Sequence, residues 1–390
     1  MAVIRGAVGR RAVLAGVGAA AFAGHARAVD SVDFAFPGGY GQRGFTTAFP
    51  QKGRMILQRA RPPLLETPLE VFDRGVLTPN DQFYVRWHWA EIPTTINADS
   101  FRLQVRGLVN TPLSLSLADL TALPSVELVA VNQCAGNSRG FFAPRVPGAE
   151  WGNGAMGNAR WTGVRLRDVL DKAGVKEGAV AVRCNGLDQP TSPDGPDFMK
   201  SLSVDHARDG EVMIAYAMNG ENLPLLNGFP LRLVVPGWFA TYWIKMLNDI
   251  EVLDKADDNF WMAKAYLIPD TPHGSIAPGQ TGVKMVPVSR MAPRSFITNV
   301  TGGSRVAAGA PVPLRGIAFG GDTGVKSVEV STDGGASWQA AELGEDAGKY
   351  SFRRWRATFT PARGEVSLLA RCTNSDGEAQ PLAAGWNPSG

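Results

Sequence analysis

The chain has 390 residues, of which 44% are hydrophobic and 19% charged, with 45 glycines and 27 prolines. A core of that size needs no disulfide or metal staple, and so much glycine and proline speaks against a helical bundle and for a loop-rich, strand-rich fold of two domains. A net charge of +3 with no Lys/Arg run excludes nucleic-acid binding, yet it suits a small anionic substrate held by local arginines.

Residues 1–28 read as an export signal. A basic stretch ends in Arg10-Arg11, Ala12 to Gly24 is apolar, and Ala26-Arg27-Ala28 offers a cleavage site before Val29. The apolar run falls short of the ~20 residues of a membrane span. Paired arginines with weak hydrophobicity point to the twin-arginine route, which carries folded, cofactor-loaded proteins. The expected product is a soluble periplasmic protein without a membrane span.

Residues 29–80 read as irregular. Phe101–Val109 alternates like a half-buried strand, and Asn110-Thr111-Pro112 turns the chain. Ser116 caps a short helix over Leu117–Leu123 that Pro124 stops. A strand over Val126–Val131 runs into the segment VNQCAGNSRGFF, residues 131–142. Leu166–Ala173 reads as a helix with Gly174 as its stop, and Val180–Cys184 as a strand. Glu211–Met218 and Phe229–Val235 read as strands joined through Asn219-Gly220, a hairpin signal. Trp243–Leu253 reads as a further strand. This first unit, residues 29–280, is α+β. After a Pro/Gly-rich stretch from Ile268 to about Arg290 the pattern turns wholly β. Strands are expected at Pro313–Phe319, Ser327–Ser331, Trp338–Glu342, Tyr350–Phe359 and Glu365–Thr373, with a turn at Asp333-Gly334-Gly335. Residues 281–390 thus read as a small immunoglobulin-like sandwich.

The three cysteines, Cys134, Cys184 and Cys372, form no C-x-x-C, so neither a zinc ribbon nor a haem attachment site is expected on this chain. Cys134 stands out because it opens a glycine-containing loop at the end of a strand, where a side chain can reach a cleft. Arg139, five residues on, favours the thiolate, and soft sulfur suits molybdenum and other thiophilic metals.

That loop, C-A-G-N-S-R, resembles the cysteine loop of the sulfite oxidase family. Five more blocks follow the family's order around it: FYVRWHW (83–89), CNGLDQP (184–190), AYAMNGENLP (215–224), NGFPLRLVVPG (227–237) and WIKML (243–247). The resemblance covers roughly residues 60–390. It implies an α+β molybdopterin-binding, sulfite-oxidase-type domain followed by an all-β dimerisation domain. It makes Cys134 the sole protein ligand of molybdenum in a molybdenum–molybdopterin cofactor. Arg86 and Arg139 are implied as anion-binding arginines, with Trp151 and Tyr266 at the substrate pocket. Pterin contacts are implied at His88, Asp188, Asn227, Arg232 and Lys245, together with backbone at Tyr84, Trp87 and Trp243. Vertebrate members have His at position 227, and an arginine where Ser389 stands here. The implied reaction is periplasmic oxidation of sulfite to sulfate. Electrons would pass to a c-type cytochrome, as acceptor or subunit, and a homodimer would form through the second domain.

Two other classes compete with this reading. An exported molybdenum-dependent methionine sulfoxide reductase shares the cysteine loop but usually lacks the C-terminal sandwich. A secreted β-sandwich binding module would leave the cysteine loop and its arginines unexplained.

Overall fold

A computed structural model describes residues 2–5, as backbone, and residues 30–390. The signal expected at 1–28 therefore lies outside the described residues apart from Ala2–Arg5, a strand that runs parallel to Gly364–Ser367.

The stretch expected to be irregular instead begins with a meander. Strands Ser31–Asp33, Gln42–Thr46, Met55–Arg59, Leu64–Glu66 and Val85–Arg86 pair in sequence order. They hold two to five residues each, and Leu64–Glu66 is buried at every position. A segment that short, with no exposed face, carries no alternation to read. Its last strand delivers Arg86 to the centre of the domain.

Two larger sheets complete the first unit. In one, Ser125–Gln133, Met156–Arg165 and Met213–Met218 run antiparallel. In the other, Leu247–Leu253 lies parallel to Leu103–Gly107 and antiparallel to Ala181–Gly186. Helix Leu166–Ala173 ends at Gly174 in the left-handed region, as its sequence predicts, and buries Leu166, Val169, Leu170 and Ala173. Helix Leu117–Thr121 starts with a full capping box between Ser116 and Asp119.

Three expectations are corrected, and two of the corrections shape the site. The Asn219-Gly220 turn joins Met213–Met218 to Glu221–Asn222, not to the strand near 230. The chain then makes an excursion through the 3-10 turn Leu225–Asn227 before Arg232–Val234 returns to pair with the other end of Met213–Met218. The strand expected over Trp243–Leu253 begins only at Leu247. Before it lie a 3-10 turn, Ala240–Tyr242, and Met246 at φ 51°. Tertiary contacts override strand propensity in both places, and the irregular backbone carries Asn227, Trp243 and Lys245. The strand expected at Trp338–Glu342 is split into Gln339–Ala340 and Glu342–Leu343, which belong to different sheets.

The C-terminal unit faces two sheets against each other. One orders Arg294–Ile297, Val312–Phe319, Arg353–Phe359 and Glu342–Leu343; the other orders Gln339–Ala340, Val325–Ser331 and Leu369–Asn374. Leu314 and Trp355 of the first share a core with Val328 and Cys372 of the second. This unit packs on the first through Phe296, Phe319 and Phe352, which meet Phe72, Val131 and Met156. Polar ties accompany the apolar contact. Arg315 forks onto the carboxylate of Asp73, with Nη2 2.7 Å from Oδ2, and the Val131 amide donates to the Tyr350 carbonyl.

Candidate active site

The long strand Ser125–Gln133 ends inside the first domain, and Cys134 follows at its tip. The Cys134 amide donates to the Ala155 carbonyl at 2.9 Å, which ties the loop to the start of strand Met156–Arg165. Ser138, at φ 75°, turns the chain into the 3-10 turn Arg139–Phe141. A second loop, Trp151–Ala155, lies alongside. Its Trp151 and Gly152 carbonyls accept from the Gly140 and Ser138 amides, and the Asn137 side chain accepts from the Ala155 amide. Glu66 underpins this loop. It is fully buried and accepts from the Gly152 and Gly154 amides at 3.0 and 2.8 Å and from Gln58 Nε2 at 2.7 Å.

Cys134 opens onto a cavity lined also by Tyr84, Arg86, His88, Asn227, Arg232, Trp243, Lys245 and Tyr266. Nine of the thirteen residues singled out by sequence therefore share one wall-to-wall space, though they span residues 84 to 266. The other two cysteines are placed as inert core. Cys184 and Cys372 are wholly buried, and burial pushes both thiols up to about 12.

Positive charge dominates the cavity. Arg232 lies between the rings of Trp161 and Trp243, 5.4 and 5.8 Å from their centroids, and donates to Asn132 Oδ1 and the Asn227 carbonyl, each at 3.0 Å. Lys245 Nζ sits 4.2 Å over the Trp87 ring. Burial, with Arg232 nearby, lowers its ammonium to about 7. Burial raises the Asp188 carboxyl to about 6 against the pull of Lys245. Asp188 is thus the acid that offsets Lys245, and it is not among the side chains lining the cavity.

On the opposite side, the His88 ring stacks on Phe198 at 3.5 Å and bonds through Nε2 to the Tyr266 hydroxyl. Burial, followed by the Arg86 charge, holds this imidazole well below its usual range, so it is neutral. Burial also raises the phenols of Tyr84 and Tyr266, so both keep their protons. Trp87 is anchored by its indole N–H on the Leu226 carbonyl at 3.0 Å, and Trp243 by its own on Trp238.

Arg139 and Trp151 do not line the cavity. Arg139 donates from Nη2 to the Ser389 and Gly390 carbonyls, both at 3.2 Å, and so meets the C-terminal segment. Its guanidinium fits only because three neighbours, Gly136, Gly148 and Gly390, are glycine. A Cβ at Gly136 or Gly148 would stand 2.5 or 2.4 Å from it. Trp151 is fully buried in the loop beside Cys134.

Sequence reading missed several residues that the fold brings here. Ala135, Phe198, Leu226, Ala240 and Thr241 also line the cavity. Asn132 accepts from both the Tyr84 hydroxyl and Arg232. Lys200 is buried, 4.6 Å over the Tyr242 ring, and burial lowers it to about 7. Lys52 bonds to Asn227. A lysine in a polar stretch carries no signal of its burial; Asn132 and Ala135, inside the cysteine segment, lay within reach of a motif reading.

Buried polar atoms without partners test what the cavity can hold. Among the described residues these include Arg86 Nη1, His88 Nδ1, Asn132 Nδ2 and Arg232 Nε, all at this site, and Arg139 Nε and Trp151 Nε1 next to it. Each such group costs roughly 1–3 kcal/mol if left unpaired, so their convergence marks a site built for an acceptor-rich anion. A soft sulfur at the same cavity adds a metal-binding atom. Molybdopterin, with a terminal phosphate and a hydrogen-bonding ring system, fits this set of donors.

Family comparison agrees with that chemistry. Residues 89–261 match the oxidoreductase molybdopterin binding domain, and residues 286–390 the Mo-co oxidoreductase dimerisation domain. Fold and site define a molybdopterin-binding oxidoreductase. The chain is 30% identical over 381 residues to sulfite oxidase of Arabidopsis thaliana, covering 91% of this chain and 95% of that one. It is 35% identical over 352 residues to the mitochondrial sulfite oxidase of Rattus norvegicus, covering 85% of this chain and 62% of the relative. The chain belongs to the sulfite oxidase family. Among solved structures it resembles the sulfane dehydrogenase SoxCD from Paracoccus pantotrophus, with a TM-score of 0.72 and 25% identity over 87% of this chain and 81% of that one. The chain spans just under two thirds of the mitochondrial relatives. The molybdopterin-domain match disfavours a binding module, and the dimerisation-domain match disfavours a methionine sulfoxide reductase.

Proposed function

We propose that this chain oxidises sulfite to sulfate with a molybdenum–molybdopterin cofactor, in the periplasm, and passes electrons to a c-type cytochrome. The observation that carries the reading is the thiol of Cys134 at a cavity lined by Arg86, Arg232 and Lys245 and by buried donors without partners. Cys134 would ligate the metal. Arg232 and Lys245 would meet the phosphate, and Asp188 would accept from ring N–H groups. The bound cofactor would supply oxygen-atom transfer to sulfur and take up two electrons.

The chain's own residues then bind and orient the anion. Arg86 carries an unpaired Nη1 into the cavity, where a charge-assisted bond to a sulfite oxygen is stronger than in water. Tyr266, protonated, hydrogen-bonds a second oxygen, and the neutral His88 fixes the direction of its hydroxyl. Arg139 stays outside the cavity, held by the Ser389 and Gly390 carbonyls, and would act on the anion through space. Ser389 itself donates to the Leu267 carbonyl, next to Tyr266. This is the region where vertebrate members place a further arginine, so the anion affinity of this chain is its own. Its C-terminal unit would act as an immunoglobulin-like dimerisation module, with a cytochrome subunit as the competing partner. No described helix is long and apolar enough to cross a membrane.

The test uses the purified chain with sulfite and cytochrome c, alongside molybdenum analysis. Wild type reduces cytochrome c and holds about one molybdenum per chain, whereas Cys134→Ser stays folded and inactive. Sulfite oxidation by a metal-loaded Cys134→Ser protein rejects the ligand assignment.

A further inference from the structure

Lys52 stands outside every motif that the family resemblance uses, yet it is one of the few buried charged residues among those described. The residue is 8% exposed. Its ammonium donates to three neutral oxygens: the Asn80 carbonyl at 2.7 Å, the Phe83 carbonyl at 3.0 Å and Asn227 Oδ1. Among the described residues no carboxylate bonds to it. Asp81 is the acid whose charge it feels, and the Arg232 guanidinium opposes it.

The placement of those three acceptors gives the residue its meaning. Asn80 opens, and Phe83 follows, the short turn Asn80–Gln82 that leads into Tyr84 and Arg86. Asn227 lines the cavity and also donates from Nδ2 to the Tyr84 carbonyl at 3.0 Å, while its own carbonyl accepts from Arg232. One ammonium therefore ties together the Tyr84 strand, the Leu225–Asn227 turn and, through that turn, Arg232. Isolating a charge in this way is costly. Burial brings the ammonium down to about 7, and Lys245 likewise. Buried Lys52 and Arg232 and the half-buried Lys245 have a single buried acid near them among the described residues, Asp188, which does not line the cavity. Such an excess is reasonable only where an anion completes it.

We propose that Lys52 is a positioning residue for the cofactor: it holds Asn227 and the Tyr84 backbone in place and, when protonated, adds a positive charge beside Arg232. This rests on the reading that the cavity takes molybdopterin. Lys52 does not line the cavity, so it acts through Asn227 and through space.

The experiment measures how fast the purified holoprotein loses pterin and molybdenum during dialysis, for wild type, Lys52→Arg, Lys52→Gln and Lys52→Met. Pterin is read by fluorescence after release and molybdenum by elemental analysis. Loss of one positive charge that acts through space on a bound anion is expected to be read as roughly tenfold in retention. Lys52→Gln keeps hydrogen bonding without charge, and it is expected to lose both components roughly tenfold faster. Lys52→Arg keeps the charge and holds them as wild type does. Retention by Lys52→Gln equal to wild type overturns the proposal, and so does loss from Lys52→Arg equal to that from Lys52→Gln. If Lys52→Met fails to fold, the Arg/Gln pair still decides. Wild type that carries no pterin overturns the cofactor reading itself, and with it this one; pterin in wild type with equal retention by all variants overturns Lys52 alone.

Discussion

At the scale of single residues, the site is a balance between burying charge and giving it work. Glu66 shows the cost side. It accepts three N–H donors, all of which favour the carboxylate, yet burial still pushes its pKa up to about 7 from 4.5. The folded value lies above the unfolded one. Between those two pH values the folded chain binds more protons, so this group's contribution to stability is complete below pH 4.5 and is lost as pH rises through about 7. The full loss is about 3 kcal/mol. Glu66→Gln removes the titration. Urea unfolding at pH 5 and pH 8 is therefore expected to show the wild type losing about 2.5 kcal/mol more than the variant over that interval, since part of the loss precedes pH 5. Parallel pH dependences in the two proteins would rule out a carboxyl titrating in this range. The contrast with Cys134 is instructive: one residue pays for burial to hold a loop, and the loop presents the other.

At the scale of elements, the Trp151–Ala155 loop is the piece that sets Cys134, and glycine makes it possible. A Cβ at Gly154 would stand 1.9 Å from the Thr67 carbonyl and 2.9 Å from Glu66 Cγ. Both neighbours belong to the strand end that carries Glu66, so the loop and the strand cannot both keep their places. Gly154→Ala is expected to cost about 2 kcal/mol by overpacking and to raise the KM for sulfite through the displaced Cys134 loop. Gly44, in strand Gln42–Thr46, has nothing within 4 Å of an added Cβ. Gly44→Ala serves as the control and stays within about 0.5 kcal/mol of wild type. Denaturant unfolding and sulfite kinetics on both variants check the pair; a Gly154→Ala protein indistinguishable from the control would mean that the loop tolerates the shift. Much of this element layout was legible in advance. Helix Leu166–Ala173, its Gly174 stop and the strand leading to Cys134 follow from periodicity and capping alone. The meander before residue 86 and the excursion between Asn222 and Arg232 did not, because strands of two to five residues carry too few positions to show a period.

For the whole molecule, the interface between the two units reaches the active-site loops. Arg294, from the C-terminal unit, is half-buried and donates to Ser138 Oγ at 2.9 Å, and desolvation lowers it to about 10. Arg139 reaches the other way, to Ser389 and Gly390. The apolar seam between these ties centres on Phe352, which meets Phe72 edge-on at 5.5 Å and Phe319 at 5.9 Å. Phe352→Ala is expected to cost about 3–5 kcal/mol and to uncouple the units, so that a single calorimetric transition divides into two. A variant that still unfolds in one step at an unchanged temperature would show that the seam does not couple them.

What the amino-acid sequence determined by itself is the chemistry on offer: one cysteine at a strand tip with an arginine five residues on, a set of cationic and aromatic blocks in a fixed order, and a change of composition between two domains. Tertiary structure decided how those groups are used. It turned Arg86 into the cavity while tethering Arg139 to the C-terminal segment, and it paired Lys52 with Asn227 across 175 residues of chain. The physical reason is that a charge acquires its role from how far it is desolvated and from what it faces, and both depend on residues remote in sequence.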